Sequence, residues 1–165
     1  MSLETEIAAV IRQEDALKFK SFNEADAWKL GQQMHHAATK AGHPFLIEIR
    51  LGGRQLFVSA LAGTSADNSE WVRRKANSVM RFHKSSYRLG REVELRGGGF
   101  DASRGIDTMT YAEHGGGFPI NIIGTGIVGA VVVSGIPQRE DHEFVVEQLA
   151  IFLGQDPAAL KLPAE

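Results

Sequence analysis

His114-Gly115-Gly116-Gly117-Phe118-Pro119 holds the residue types best suited to chemistry in this chain. An imidazole can ligate iron or act as an acid or base. Three glycines beside it let backbone N–H groups come close to whatever occupies the site. Pro119 then fixes the chain direction. The competing reading is a tight turn packed under a sheet. Upstream, Arg73, Arg74, Lys75, Arg81, Lys84, Arg88 and Arg91 fall in one run with no acidic residue between them. Such a run suits a small anion held by charge-assisted hydrogen bonds. It equally suits a solvated helix face, or an interface paired with Glu92 and Glu94. Arg81, His83 and Tyr87 stand out within the run, because positions 83 and 87 share a face if one helix continues through them.

Two familiar patterns lead nowhere. Gly124, Gly126 and Gly129 have G-x-G-x-x-G spacing. A dinucleotide site needs a helix after those glycines, to carry the pyrophosphate on its N-terminus. Here AVVVS follows, and consecutive β-branched valines favour a strand. Gly124 and Gly126 are therefore expected in a turn between antiparallel strands, with Gly129 at a close backbone approach. His114–Gly117 also matches an oxyanion-hole sequence, but no G-x-S-x-G elbow accompanies it. The remaining histidines do not make a zinc site. His35 and His36 are adjacent and cannot face one ligand, His43 sits in a turn, and His142 is expected on the surface.

The elements that must position these residues follow from periodicity. The chain has 165 residues, 43% hydrophobic and 23% charged, with net charge −2 and no cysteine. That fits a single domain of ordinary size with its own core. The charge gives no bias towards nucleic acid. No stretch reaches the roughly 18 apolar residues of a membrane span, so a cytoplasmic protein is expected. Helices are predicted over about 3–14, with Leu3, Ile7, Val10 and Ile11 on one face, and over 24–41, capped by Asn23 and ended by Gly42. A hairpin follows across Gly52-Gly53, both expected at positive φ. Residues 63–69 read as a loop and 70–84 as a helix, with a short helical piece at 85–92. Residues 93–115 read as a long loop with one short strand. Two strands over FPINIIG and IVGAVVVSG and a helix at about 140–153 complete the order. Residues 154–165 are expected to be a loose tail.

Gly116, Gly117 and Pro119, then Gly129, Val133, Ser134 and Gly135, then Asp141, together resemble the GlcG/HbpS-like superfamily, described as heme-degrading or heme-binding domains. The run GTSADNSEWVRRKANSVMRFHKSSYRLG is similar to one uncharacterised branch of it. The resemblance covers about residues 20–153. It implies a single α/β (α+β) domain over 1–153 with a profilin-like three-layer α/β/α fold, a central antiparallel sheet of about five strands and helices on both faces. It also implies a homo-oligomer and makes heme the candidate cofactor, with His114 the metal ligand if heme binds.

Two functions remain open. One is a small-molecule binding protein, heme-binding or heme-degrading, with a pocket built from His114, Gly115, Gly116, Gly117, Pro119, Arg81, His83 and Tyr87. The other is an assembly or interaction module with no ligand. No constellation names a reaction, and neither nucleic acid nor membrane is an expected partner. A binding site would leave the loop and the basic run facing an open pocket, and a structural role would leave them packed or paired.

Overall fold

The computed structural model describes residues 2–164. In chain order it contains α1 (Leu3–Ala16), α2 (Glu24–Ala41), β1 (Leu46–Leu51), β2 (Arg54–Ala60), α3 (Ala66–Phe82), α4 (Ser86–Leu95), β3 (Gly117–Ile122), β4 (Gly126–Ser134) and α5 (Gln138–Phe152). Single 3₁₀ turns lie at Ala102–Arg104 and Pro157–Leu160. The four strands form one antiparallel sheet in the order β2-β1-β4-β3.

Local chemistry sets most boundaries. Asn23 and Asp26 exchange side-chain and backbone hydrogen bonds at the start of α2, and Gly42 ends it at φ 70°. The β1–β2 loop uses positive φ at Gly52 only, at 56°. That is the type II′ requirement, so the expectation of positive φ at both glycines is corrected. Gly124 and Gly126 take φ 81° and 106° in the β3–β4 turn, which bears out the hairpin reading of the glycine pattern. α3 begins at Ala66 rather than near residue 70, because the polar run read as a loop is its cap and first turn. The Asn68 side chain accepts from the Ser65 N–H at 2.9 Å.

Helices cover both faces of the sheet. On one face, Leu30, Met34 and Ala38 of α2 and Val145 and Leu149 of α5 meet Ile47, Ile49, Phe118, Ile120, Val131 and Val133. On the other, Val72, Ala76 and Val79 of α3 meet Leu46, Ala130 and Val132. The alternation of these side chains is strand period 2 seen from both sides. The valine run therefore has no solvent face, which is why it reads as continuously apolar.

The sheet has four strands, not about five. Residues 93–115 contribute no strand, because Gly97–Gly99 and the Asp101–Ser103 turn do not extend. Phe19 makes only an isolated bridge to Ile122 beside β3. α1 also turns a different face inward. Glu6, Ala9, Val10 and Gln13 are buried, while Leu3, Ile7 and Ile11 are half-buried. Nor is the end of the chain loose throughout. Leu162 packs with Ala9, Val10 and Tyr87, and the Leu160 carbonyl accepts from Gln13 Nε2 at 2.6 Å.

Gly129 pairs with Leu51 across the β1–β4 ladder, and a Cβ there would press on the Arg50 carbonyl oxygen well inside 3.0 Å. Gly129→Ala should therefore cost about 2 kcal/mol or more in urea denaturation. Gly98→Ala, whose added methyl meets nothing within 4 Å, should change stability by less than about 0.5 kcal/mol. Equal midpoints for the two variants would refute the close-approach role of Gly129.

Candidate functional site

One face of α3 carries the long loop that ends in His114. Arg73 and Arg74 donate to the carbonyls of Met109 (2.7 Å) and Thr108 (3.1 Å). Asn77 donates to Thr110 O at 2.9 Å, and the Ser78 hydroxyl donates to Ala112 O at 2.7 Å. One helical turn further on, Arg81 donates to Gly105 O at 2.7 Å and lies over the Tyr111 ring at 4.8 Å. These positions recur at helical spacing, so a basic helix face becomes a rack for backbone acceptors.

The three glycines after His114 are packed, not presented to a ligand. The Gly115 N–H donates to Gln138 Oε1 at 3.1 Å and the Gly117 N–H to Ser86 Oγ at 2.9 Å. A Cβ at Gly115 would strike the Gln138 carbonyl. A Cβ at Gly117 would crowd Val79 at 2.9 Å. Gly116, at φ 121°, would place a Cβ 2.8 Å from Lys75 Nζ and against the Val133 carbonyl.

Lys75 and Asp141 form a buried ion pair at 2.8 Å, with side chains 3% and 2% exposed. Lys75 Nζ also donates to Val133 O at 3.0 Å, and Asp141 accepts from the Ile136 N–H at 3.1 Å. Burial pushes the lysine pKa down and the aspartate pKa up, and each opposes the other's shift by pairing.

Above this pair opens a pocket of about 240 Å³, lined by Trp71, Lys75, His114, Ser134, Gln138 and Asp141 among others. The His114 ring meets the Trp71 ring edge-on, with centroids 4.8 Å apart. Arg74 covers Trp71 at 4.1 Å. His114 itself is exposed at the mouth, and among the described residues its ring nitrogens have no hydrogen-bond partner. Partial burial, then the charges of Lys75, Arg74 and Arg91, lower its pKa. The imidazole is therefore neutral at neutral pH, with one nitrogen lone pair available.

Of the eight residues marked in the sequence, the structure brings His114 to this pocket and sets Gly115–Gly117 behind it. Pro119 is buried within β3, away from the pocket lining. Arg81 is occupied with the loop carbonyls. His83 ends α3 at φ 54°, the one non-glycine residue at positive φ among those described, and is exposed. Tyr87 belongs to α4, so it shares no helical face with His83. Its hydroxyl donates to Glu6 at 2.6 Å, and burial followed by that acid pushes its pKa up to about 12. The other cations of the run also have partners. Lys84 pairs with Glu92, Arg88 with Glu14 and Glu92, and Arg91 with Glu94.

The sequence reading missed Lys75 as a buried group, and Trp71 and Gln138 as pocket walls. The signal for Lys75 was its place three residues after Val72 and one before Ala76, on the apolar stripe of α3. It also placed His142 on the surface. His142 is fully buried, stacked on Tyr87 at 4.8 Å, with Nε2 2.8 Å from Gln13 Oε1. Its Nε2 must be the donor there, leaving Nδ1 as a buried acceptor with no partner among the described residues. No group of three or more His, Cys, Asp or Glu suited to a metal ion occurs among the described residues.

Residues 22–150 match the family model described as "Haem degrading protein HbpS-like". The chain belongs to the HbpS-like family. A UPF0303 protein of Acidobacterium capsulatum is 47% identical over 163 residues, covering 99% of both chains. The crystal structure of Ybr137w protein superposes with TM-score 0.84 at 26% identity, covering 92% of this chain and 90% of that one. The structure of a PduOC:heme complex superposes with TM-score 0.67 at 17% identity, covering 79% and 94%. This HbpS-like fold is thus a mixed α/β domain with an antiparallel sheet, as the resemblance implied, and the family is confirmed.

Two measurements test the buried polar groups. Asp141→Asn keeps the acceptor for Ile136 but strands the Lys75 charge, and should cost about 3–5 kcal/mol in urea denaturation. Lys75→Met/Asp141→Asn should recover part of that loss, and a double variant less stable than the single one would contradict the pairing. Burial, reinforced by the Arg139 charge, lowers the His142 pKa from 6.5 to about 3. The unfolded chain therefore takes up this proton first as pH falls. The resulting stability is fully present above about pH 6.5 and is lost towards pH 3, at up to about 1.4 kcal/mol per pH unit. His142→Phe should flatten the stability profile between pH 6 and 4, whereas an unchanged slope would show that the imidazole is not held neutral.

Proposed function

We propose that this HbpS-like protein binds a small anionic ligand at the His114 pocket, with heme the leading candidate. One observation carries the reading: an exposed imidazole, kept neutral by partial burial and three nearby cations, stands without a protein partner at the mouth of a pocket. That is the state in which histidine serves as an axial ligand. Heme would supply an iron able to take a nitrogen ligand. His114 would hold that iron, and the cations around it would favour negatively charged edges of the ligand.

Size limits how heme fits. The pocket, at about 240 Å³, is below the roughly 300–1,000 Å³ of cavities that enclose a drug-sized ligand. The pocket alone would not enclose a macrocycle, and a second copy of the chain would have to complete the enclosure. Homo-oligomer formation belongs to the same proposal. It is supported by Trp28 and Val58, 57% and 51% exposed beside the unpaired edge of β2. A cytoplasmic location is also part of it, in keeping with a chain that has no cysteine to oxidise. No helix among the described residues is long and apolar enough to cross a membrane.

The assembly reading is favoured by a separate observation. Gly115 and Gly117 and most of the basic run are packed or paired, as a purely structural role requires. A hemin titration followed by Soret absorbance, with excess serum albumin as competitor, separates the two. The expected result is a saturable, competition-resistant band in the wild type that His114→Ala loses. A band unchanged in the variant would clear His114 as ligand. Absence of any specific band would remove heme and leave the assembly reading in front.

A further inference from the structure

A second cavity, of about 600 Å³, lies between α4 and residues 98–106. It shares no lining residue with the His114 pocket. Apolar side chains make up part of its wall, among charged ones. Leu89 and Val93 come from α4, Phe82 from the end of α3, and Phe100 and Ile106 from the loop. Phe82 and Phe100 both line it, with their rings 28° apart and centroids at 6.3 Å.

Charge at this cavity is unbalanced. Lys84 and Glu92 on its edge neutralise each other at 2.8 Å. Asp101, held ionised by hydrogen bonds from Ser103, is the remaining acid. Against it stand Arg96 and Arg104, and among the described residues no carboxylate forms an ion pair with either guanidinium. The lining thus carries one surplus positive charge. These two arginines contrast with Lys75, Lys84, Arg88 and Arg91, all of which the fold has paired.

Two glycines on the rim have no structural reason to be glycine. A Cβ at Gly98 or Gly99 would meet nothing within 4 Å, and neither residue takes a left-handed φ. Gly97, at φ 70°, already supplies the backbone reversal after α4. Backbone stripped of side chains at a cavity edge is what close approach of a ligand demands. The loop is held in place for this: Arg81 donates to Gly105 O and, at 3.4 Å, to Arg104 O.

We propose that this cavity is a second binding site, for a flat aromatic monoanion. The ring system rests on Phe82 and Phe100, and the acidic group pairs with Arg96 and Arg104. The aromatic walls supply most of the affinity by burial, and the arginines select the charge. Gly98 and Gly99 leave the entrance open, and Arg81 acts as a positioning residue for the loop.

The test is a fluorescence titration of the full chain with 8-anilinonaphthalene-1-sulfonate, an aromatic monoanion. N-phenyl-1-naphthylamine, which lacks the sulfonate, is the neutral comparison. The expected result is saturable binding of the anion, weakened at least about tenfold by Arg96→Gln and again by Arg104→Gln. Both arginines are exposed, so these variants should unfold at the wild-type urea concentration. Gly99→Leu should abolish binding, and the neutral probe should bind more weakly and ignore the arginine variants. Binding that is unsaturable, or unaffected by all three substitutions, would place the probe elsewhere and overturn the proposal. Equal affinity for the neutral probe would overturn it as well.

Discussion

The buried Lys75–Asp141 ion pair is the constraint on which the arrangement around it depends. An isolated charge cannot be left in such a place, and a buried pair is tolerated only when the remaining hydrogen-bonding capacity is filled. Here one carbonyl of β4 accepts a second hydrogen bond from the ammonium, and one N–H of the following turn donates to the carboxylate. The pair therefore joins the middle of α3, the end of β4 and the first turn of α5 at one point. The glycine at position 116 follows from the same demand. Its backbone runs over the ammonium group at a distance that excludes any side chain, so the loop reaches β3 only as glycine. The site's histidine, two residues earlier, is delivered by that route.

A second polar cluster does comparable work beneath α4. Glu6 of α1 accepts from both Tyr87 and Arg139. Gln13 of α1 meets His142, and Arg139 reaches the Pro163 carbonyl at 2.5 Å. The first helix and the last residues are thus tied to α4 and α5 by hydrogen bonds in a dry setting, not by a large apolar face. This explains why α1 turns two polar side chains inward in place of Leu3 and Ile7. It also explains a buried histidine with a strongly lowered pKa that does no chemistry at the pocket.

Much of the fold was legible where a local signal decides structure. The α2 caps, the β1–β2 hairpin, the Gly124–Gly126 turn and the Gly129 approach all rest on backbone preferences that short-range sequence expresses. Buried polar residues were not legible in the same way. Lys75 sits on an apolar stripe and His142 in an acidic first turn. Nothing within four residues of either shows that Asp141 or Gln13 is waiting across the fold. The site was legible in part for the same reason. The unusual composition around His114 marked the loop, but the partners of its glycines come from Ser86, Val133 and Gln138, far away in sequence. The missing fifth strand and the early start of α3 are composition errors of opposite kinds. One took a glycine-rich segment for a potential strand, and the other took a capping sequence for a loop.

The basic run shows how the fold decides what a charge is for. Seven cations without an intervening acid suggested an anion site by composition alone. In the folded chain, Arg74 and Arg81 spend donors on backbone carbonyls, and Arg73 divides its own between the Met109 carbonyl and Glu70. Lys75, Lys84, Arg88 and Arg91 spend theirs on carboxylates contributed by three helices, α1, α4 and α5. A guanidinium has five donors in a fixed fork, so a loop with no regular hydrogen bonds of its own can satisfy its carbonyls on it. That accounts for the connection over residues 96–116 holding its shape without a strand. Recognition of an outside ligand is left to groups the fold has not already committed. Around the Lys75–Asp141 pair, the group that qualifies is the ring of His114.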